Sequence, residues 1–272
     1  MKRLYALLLV LAISTAHAQE ATDTVTINRF LYNTKILKDK LTPNKMTEGV
    51  AALDIYNTES RFMDLNAVKR TELEVKLQQD KTLSARDKMT QLMVFKVGFT
   101  WSIFSTATDN TMYNEVVKYR YAYTEAKNSV QWTIDQEVTS WEGYKVQQAN
   151  AFIDGRMWNV LFTTDIPVLS GPYKFNNLPG FVVKAWDDEM QYIFEFASTQ
   201  KVSSTWDNQT YQSKYTTVSK EQAKKALRTH YNKSPYDLLL DINPKNAEHR
   251  DQYPADMMKK LILTANPIER DF

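Results

Sequence analysis

The chain has 272 residues, with 34 Lys and Arg against 32 Asp and Glu, 43% hydrophobic and 12% aromatic residues, and no cysteine. A near-neutral charge without Lys/Arg clusters among aromatics removes the electrostatic case for nucleic acid or anionic lipid, and the missing cysteines remove disulfides and thiolate metal sites. Stability therefore has to come from a core, which a mature chain of about 250 residues is long enough to bury.

Met1-Lys2-Arg3 gives a basic start, Leu4 to Ile13 an apolar run, and Ala16-His17-Ala18 a small-x-small cleavage site before Gln19. This is the layout of a secretory signal peptide. Residues 1–18 are expected to be removed, leaving 19–272 as a single β-rich domain with a helical C-terminal part, periplasmic or secreted. No Cys follows the cleavage site, which excludes a lipoprotein, and no other uncharged run approaches the roughly 20 residues of a membrane-spanning helix. Cleavage also takes Lys2 and Arg3, so the mature chain balances 32 basic against 32 acidic residues.

From Thr24 to Asn57 the pattern is mixed, and Ala51, Leu53 and Ile55 alternating with Ala52, Asp54 and Tyr56 predict a strand that continues at Ser60 to Met63. Asp64 to Leu92 is charged and poor in β-branched residues; within it Ser84-Ala-Arg-Asp87 resembles a capping box before a short helix. Apolar content rises from Met93 to Ser105. Ala107 to Asn110 then turns the chain into a strand over Glu115 to Tyr123, where Val117, Tyr119, Tyr121 and Tyr123 share a half-buried face with hydroxyls reaching water. Val130, Trp132 and Ile134 alternate with polar residues, Glu142-Gly143 is a turn, and Asp154-Gly155 predicts a type I′ hairpin. That hairpin sets Ile153, Ala151 and Ala149 opposite Arg156, Trp158 and Val160.

The stretch from Gly171 to Ser198 joins turn chemistry to strand alternation. Pro179-Gly180 predicts a type II turn with positive φ on the glycine. With Asp187 to Met190 as the loop, Trp186 faces Gln191 and Phe181 faces Phe196, so Phe181, Val183 and Ala185 join Tyr192, Phe194 and Phe196 on an apolar face. The opposite face mixes Lys184, Gln191 and Glu195 with Val182, Trp186 and Ile193. Five strands thus form a meander. Further on, Ser219-Lys-Glu-Gln222 opens a helix to about Tyr231 that Pro235 stops. A second helix is expected from about Pro254 to Leu263, after an irregular loop around Asn243-Pro244-Lys245-Asn246.

Motifs for nucleotide binding, zinc proteolysis, serine hydrolysis and dithiol chemistry are absent from the sequence. After cleavage His230 and His249 remain, too few for a histidine zinc site; His230 reads as a surface or core-edge residue and His249 as part of a solvated charge cluster. Asp135 and Glu137 share a strand face, while Asp187, Asp188 and Glu189 crowd a hairpin tip. Exposed there, they read as solvated carboxylates, with a calcium contact the alternative at the tip. No catalytic residue, metal or cofactor is expected. Arg156 beside Trp158 is placed either to grip a carboxylate or phosphate or to stack on an aromatic. Pro179 and Gly180 would gather Tyr173, Phe175, Leu178 and Phe181 into the apolar rim of a ligand groove, or into a plug at one end of the core. Arg156, Trp158, Tyr173, Phe175, Leu178 and Phe181 are the candidate ligand-binding residues, with Pro179 and Gly180 as the structural turn.

Several segments also carry a resemblance: Ser60-Arg61-Phe62, Gly143-Tyr144-Lys145, Gly155-Arg156-Met157-Trp158, Phe162-Thr163-Thr164-Asp165-Ile166-Pro167, Gly171-Pro172-Tyr173-Lys174-Phe175, Asn177-Leu178-Pro179-Gly180-Phe181-Val182 and Asn266-Pro267-Ile268-Glu269. In order and spacing the chain resembles the GLPGLI family, envelope proteins found mainly in the Bacteroidota. Asn177 stands for that family's usual first Gly, Phe181-Val182 for Leu-Ile, and Val146 where a Cys follows Gly-Tyr-Lys. The resemblance implies a fold and a compartment, and no established reaction.

The expected fold is α+β and predominantly antiparallel: a twisted meander sheet curved into a partial barrel, with C-terminal helices packed on it. The function expected first is a non-catalytic binding or carrier module for an apolar small molecule, lipid or peptide in the cell envelope. The alternatives are an envelope hydrolase using carboxylates or a lone His, and a structural partner of an envelope protein in outer-membrane transport or surface assembly.

Overall fold

The computed structural model describes residues 24–116, 119–206 and 212–272. The expected signal peptide at 1–18 and Val117 of the tyrosine face lie outside the described residues. Strands β1 (Thr24–Leu37), β2 (Met46–Tyr56), β3 (Glu59–Asp64), β4 (Ser102–Ser105), β5 (Asp109–Val116) and β6 (Tyr119–Ala126) form one run. A second run is β7 (Thr133–Trp141), β8 (Tyr144–Ile153), β9 (Arg156–Thr163), β10 (Phe181–Asp187) and β11 (Tyr192–Thr205), followed by the short β12 (Thr216–Thr217). All belong to one sheet, ordered β12-β6-β5-β4-β3-β2-β1-β11-β10-β9-β8-β7. The two runs join where β1 pairs with β11, every pairing is antiparallel except β12 with β6, and the sheet does not close into a barrel.

The helices include α1 (Leu65–Gln79), α2 (Ala85–Leu92), α3 (Lys220–Tyr231), α4 (Pro235–Ile242) and the single turn α5 (Leu261–Thr264). Each of the first four starts on an N-cap side chain, Asp64, Ser84, Ser219 or Ser234, that accepts a backbone N–H of the first turn. The box at Ser219 and Gln222 forms as expected. Pro235 does more than stop α3: it occupies the first turn of α4. In place of one helix over 254–263 there is a 3₁₀ turn at Ala255–Met258 and then α5, and the loop after α4 is itself 3₁₀ over Pro244–Gln252.

Turn chemistry placed the hairpins of the second run well. Glu142 and Gly143 have φ of 46° and 84°, Asp154 and Gly155 48° and 84°, both residues positive as a type I′ turn needs. Ile153 faces Arg156, Ala151 faces Trp158 and Ala149 faces Val160. The β10–β11 hairpin keeps its expected faces but pairs Trp186 with Ile193 and Ala185 with Phe194, two residues off the expected register. The cause is Asp187, whose carboxylate accepts the N–H groups of Gln191 (2.7 Å) and Tyr192 (2.9 Å) and so moves the loop one residue on. A shift of two by itself leaves side chains on their faces, and Phe181, Val183, Ala185 and Phe194 are fully buried; Val182, expected on the wetter face, is also fully buried, where the pairing with β9 shifts register between Val182 and Lys184.

Two other expectations are corrected. Glu115 to Tyr123 is not one strand, because β5 ends at Val116 and β6 starts at Tyr119, the two paired. Gly180 is not the left-handed corner: positive φ falls on Tyr173 (51°) and Asn177 (63°) instead. Gly180 is required by space, since a Cβ there would sit 2.4 Å from the Thr163 carbonyl oxygen.

Candidate functional site

A polar constellation in the core centres on Lys174, whose side chain is 1% exposed. Its ammonium donates to Asp154 (2.5 Å), Glu269 (2.9 Å) and the Tyr123 hydroxyl (2.7 Å), and forms an ion pair with Glu125 at 2.7 Å. Lys220, at the start of α3, adds bonds to Glu125 (2.6 Å) and to the second Asp154 oxygen (2.8 Å). Tyr173 donates to Asp154 at 2.8 Å, and the Tyr123 hydroxyl donates to Glu269. Three carboxylates thus share two ammonium groups among aromatic rings. Burial alone would push the Lys174 ammonium down, but Glu269, the two tyrosines and Asp154 outweigh it and hold the lysine well above its ordinary range. Burial likewise works to raise the Asp154 carboxyl, and Lys174 and Lys220 outweigh it and hold it below the usual carboxylate range. Burial pushes the Tyr123 and Tyr173 phenols up.

Arg156 ties the C-terminal segment to the same end of the sheet. Its guanidinium donates to Asp187 (2.5 Å), to the Asn266 side-chain oxygen (2.6 Å) and to the carbonyls of Pro267 (2.5 Å) and Ile268 (2.9 Å), and it lies 4.5 Å from the Tyr192 ring centre. Asn266 reaches the Leu37 carbonyl (2.7 Å), and Arg270 donates its N–H to the Asp154 carbonyl (2.7 Å). Gly155 belongs under this strap, because a Cβ there would meet the Asp271 nitrogen at 2.8 Å.

Beside the strap lies a groove of about 300 Å³. One wall is Phe99 and Trp101, with rings stacked 4.3 Å apart; another is Leu227, His230 and Tyr231 of α3; the strap supplies Ala265 to Glu269. Lys38, Asn114 and Glu115 add polar groups. The loop bearing Phe99 is positioned by Asp64, which caps α1 through the Ala67 N–H (3.0 Å) and also accepts the Gly98 N–H (2.9 Å). Burial raises the Asp64 carboxyl, with those N–H bonds opposing. Burial, then Lys233, lowers the His230 imidazole, which favours the neutral ring.

The residues singled out from sequence lie deeper. Trp158, Phe175 and Phe181 are 0% exposed, Tyr173 and Arg156 2%, and Leu178 5%. Trp158, Tyr173 and Phe175 meet as a ring cluster, 4.7 to 5.9 Å between centres, whereas Phe181 packs 4.9 Å from Phe30 and 5.3 Å from Phe196. Asp187 is buried against Arg156, not solvated; Asp188 bonds Asn159, and Glu189 bonds Arg270. Asp135 and Glu137 are exposed, as is His249, while His230 is half-buried at the groove. Sequence reasoning missed Lys174 and Glu269, and the charge pairing of Glu125 and Asp154 with them. The signal for Lys174 and Glu269 was membership of the segments Gly171–Phe175 and Asn266–Glu269. Among the described residues no cluster of metal-ligating side chains occurs, and no helix is long and apolar enough to cross a membrane.

No protein-family model and no curated protein matches the chain. Solved structures of PNGF-II in its P21 and C2 space groups resemble it with TM-scores of 0.47 and 0.46, each at 12% identity over 74% of this chain. The match covers 33% and 32% of those chains, so this protein spans about a third of their length.

Proposed function

We propose that the protein is an exported, non-catalytic binding module of the cell envelope, and that it holds a small apolar ligand in the groove between the Phe99–Trp101 loop, α3 and the C-terminal strap. The observation that carries this reading is the groove itself. Its volume of about 300 Å³ stands at the lower end of ligand pockets, and its walls combine aromatic and aliphatic surface with a few polar groups, as such pockets do. The rim first expected around Leu178 reads as the plug of the core, and the groove as the open site.

In this reading the sheet is a partial barrel with α3 across its concave side. Support comes from Tyr32 and Phe62 of the first run sharing one core with Val146 and Val160 of the second, and with Ala223 and Leu227 of α3. Register shifts at Leu31/Tyr32, Val182/Lys184 and Ile134/Val138 supply curvature. We also read the chain as a GLPGLI-type domain. Asn177 at φ 63° supports this, since Asn is the residue that best replaces Gly in the left-handed region. So does the pairing of Arg156 with Asn266 and of Lys174 with Glu269, which joins three of the segments that carry the resemblance.

The test is titration with a neutral apolar fluorophore, N-phenyl-1-naphthylamine, followed by its emission and by quenching of tryptophan fluorescence. Saturable binding of one probe per folded chain is expected, and Ala265→Trp, which fills the groove from a half-exposed position, should weaken it at least tenfold without lowering the melting temperature. A native protein that binds no probe saturably would refute the reading.

A further inference from the structure

The groove beside α3 is not apolar throughout, because Glu269 lines it while being only 4% exposed. The groups that hold this carboxylate all meet one of its oxygens. The Lys174 ammonium (2.9 Å) and the Tyr123 hydroxyl donate to Oε1, and the Tyr173 hydroxyl lies 3.5 Å from the same atom. Oε2 receives no hydrogen bond among the described residues and, unlike the orphaned Tyr121 hydroxyl, it stays open to solvent. A largely buried carboxylate oxygen without a donor is uncommon, since such groups are normally satisfied by protein, water or a ligand. The groove is the space from which a donor can reach it.

Charge decides which donor suits the site. Asp154, Glu125 and Glu269 share Lys174 and Lys220, three formal negative charges against two positive, so the cluster behind this wall is short of one cation. Other charged groups in the lining do not supply it. Lys38 is exposed, with its ammonium 3.5 Å from the Val97 carbonyl, and Glu115 is paired with Arg120 at 3.2 Å. His230 favours its neutral form. Phe99, Trp101 and Tyr231 line the same space, and aromatic rings attract an ammonium group that aliphatic walls would exclude. A free carboxylate oxygen, a missing positive charge and aromatic walls have one ligand chemistry in common.

On the reading that the groove is the ligand site, we propose that its occupant is an organic amine, whose ammonium donates to Glu269 Oε2 while its hydrocarbon part lies against Phe99, Trp101 and Leu227. An alcohol would satisfy the oxygen but not the charge, and a carboxylate would be repelled. The test is calorimetric titration of the full chain at pH 7 with three probes of one chain length, n-hexylamine, 1-hexanol and hexanoate, alongside their displacement of bound N-phenyl-1-naphthylamine. Hexylamine should bind one to one and at least tenfold more tightly than hexanol, with hexanoate weakest. Glu269→Gln keeps the shape and removes the charge, so hexylamine should fall to the affinity of hexanol while hexanol is unchanged. Ala265→Trp should weaken hexylamine at least tenfold, which locates it in the groove. The wild-type series decides the matter even if Glu269→Gln, which deprives Lys174 of a partner, does not fold. Fluorophore binding with hexylamine no tighter than hexanol overturns the amine and leaves the apolar groove standing; no binding by the fluorophore or by any of the three probes overturns both. Wild-type hexylamine affinity in folded Glu269→Gln or in Ala265→Trp also overturns the proposal.

Discussion

Replacing Lys174 by Met tests the buried charge cluster most directly. Methionine fills nearly the same volume, so the change removes a charge without opening a large cavity. Asp154 keeps Lys220 and the Tyr173 hydroxyl, and Glu125 keeps Lys220, but Glu269 is left with the Tyr123 hydroxyl. Removing one partner of a buried ion pair costs about 3–5 kcal/mol, a large share of a total stability of about 5–15 kcal/mol. At about 2–4 °C per kcal/mol for a chain of this size, the melting temperature at pH 7 should fall by about 10 °C. The pH dependence separates charge from packing. In the wild type Asp154 is held below its ordinary value of 3.8, so its contribution is present above that pH and is lost as pH falls below it. Lys174 is held above its ordinary 10.5, so its contribution is present below that pH and is lost as pH rises through the raised value. The wild type is therefore level between these limits as far as Asp154 and Lys174 are concerned. In Lys174→Met the Asp154 carboxyl keeps only Lys220 to hold it down, so less stability is lost as its proton returns and the deficit should shrink as pH falls from 7 to 3. Urea melts at the two pH values measure it. A variant as stable as wild type at pH 7, or a deficit unchanged at pH 3, would refute the reasoning.

Two further outcomes follow from packing. Phe194→Ala empties a fully buried site and should cost about 3–5 kcal/mol, whereas Lys184→Ala removes a half-exposed side chain paired with Glu195 at 2.8 Å and should cost about 1 kcal/mol or less; equal urea midpoints would show the faces reversed. Gly180→Ala should leave little folded protein, because its Cβ collides with the Thr163 carbonyl, while Gly143→Ala meets nothing within 4 Å and carries only the roughly 1–2 kcal/mol strain of a positive φ of 84°. Comparable soluble yields and melting temperatures for the two alanine variants would contradict that geometry.

What the sequence disclosed of the fold tracks how local the determining forces are. Asp154-Gly155 and Glu142-Gly143 fix their hairpins because a two-residue loop with both φ positive leaves one register. The β10–β11 register went astray because a side chain, Asp187, closes the loop, and no backbone pattern announces that. Strand β1 passed unread although it joins the two halves of the sheet. Its pairing shifts between Leu31 and Tyr32, so the alternation changes phase midway, and Arg29 is buried on it through a bond to Asp54 at 2.6 Å. Helix α1 was hidden for the opposite reason: it buries only Val68 and Leu77, too sparse a stripe to stand out among charges.

The site was less legible because its chemistry is made at long range. Lys174 meets Glu269 across 95 residues and Arg156 meets Asn266 across 110, separations over which no periodicity or motif spacing carries information. Scattered short segments nevertheless make physical sense together. Gly155-Arg156, Tyr173-Lys174 and Asn266 to Glu269 are three strands of one knot: the arginine holds the strap by its carbonyls, the lysine holds it by its carboxylate, and the glycine leaves room for it to pass. The strap in turn is one wall of the groove. Each segment is therefore constrained by the other two, and loss of any one should loosen the groove wall. This is why residues that read as a binding set in the sequence, Arg156 and Tyr173 among them, are deeply buried in the structure: they hold the groove wall from behind.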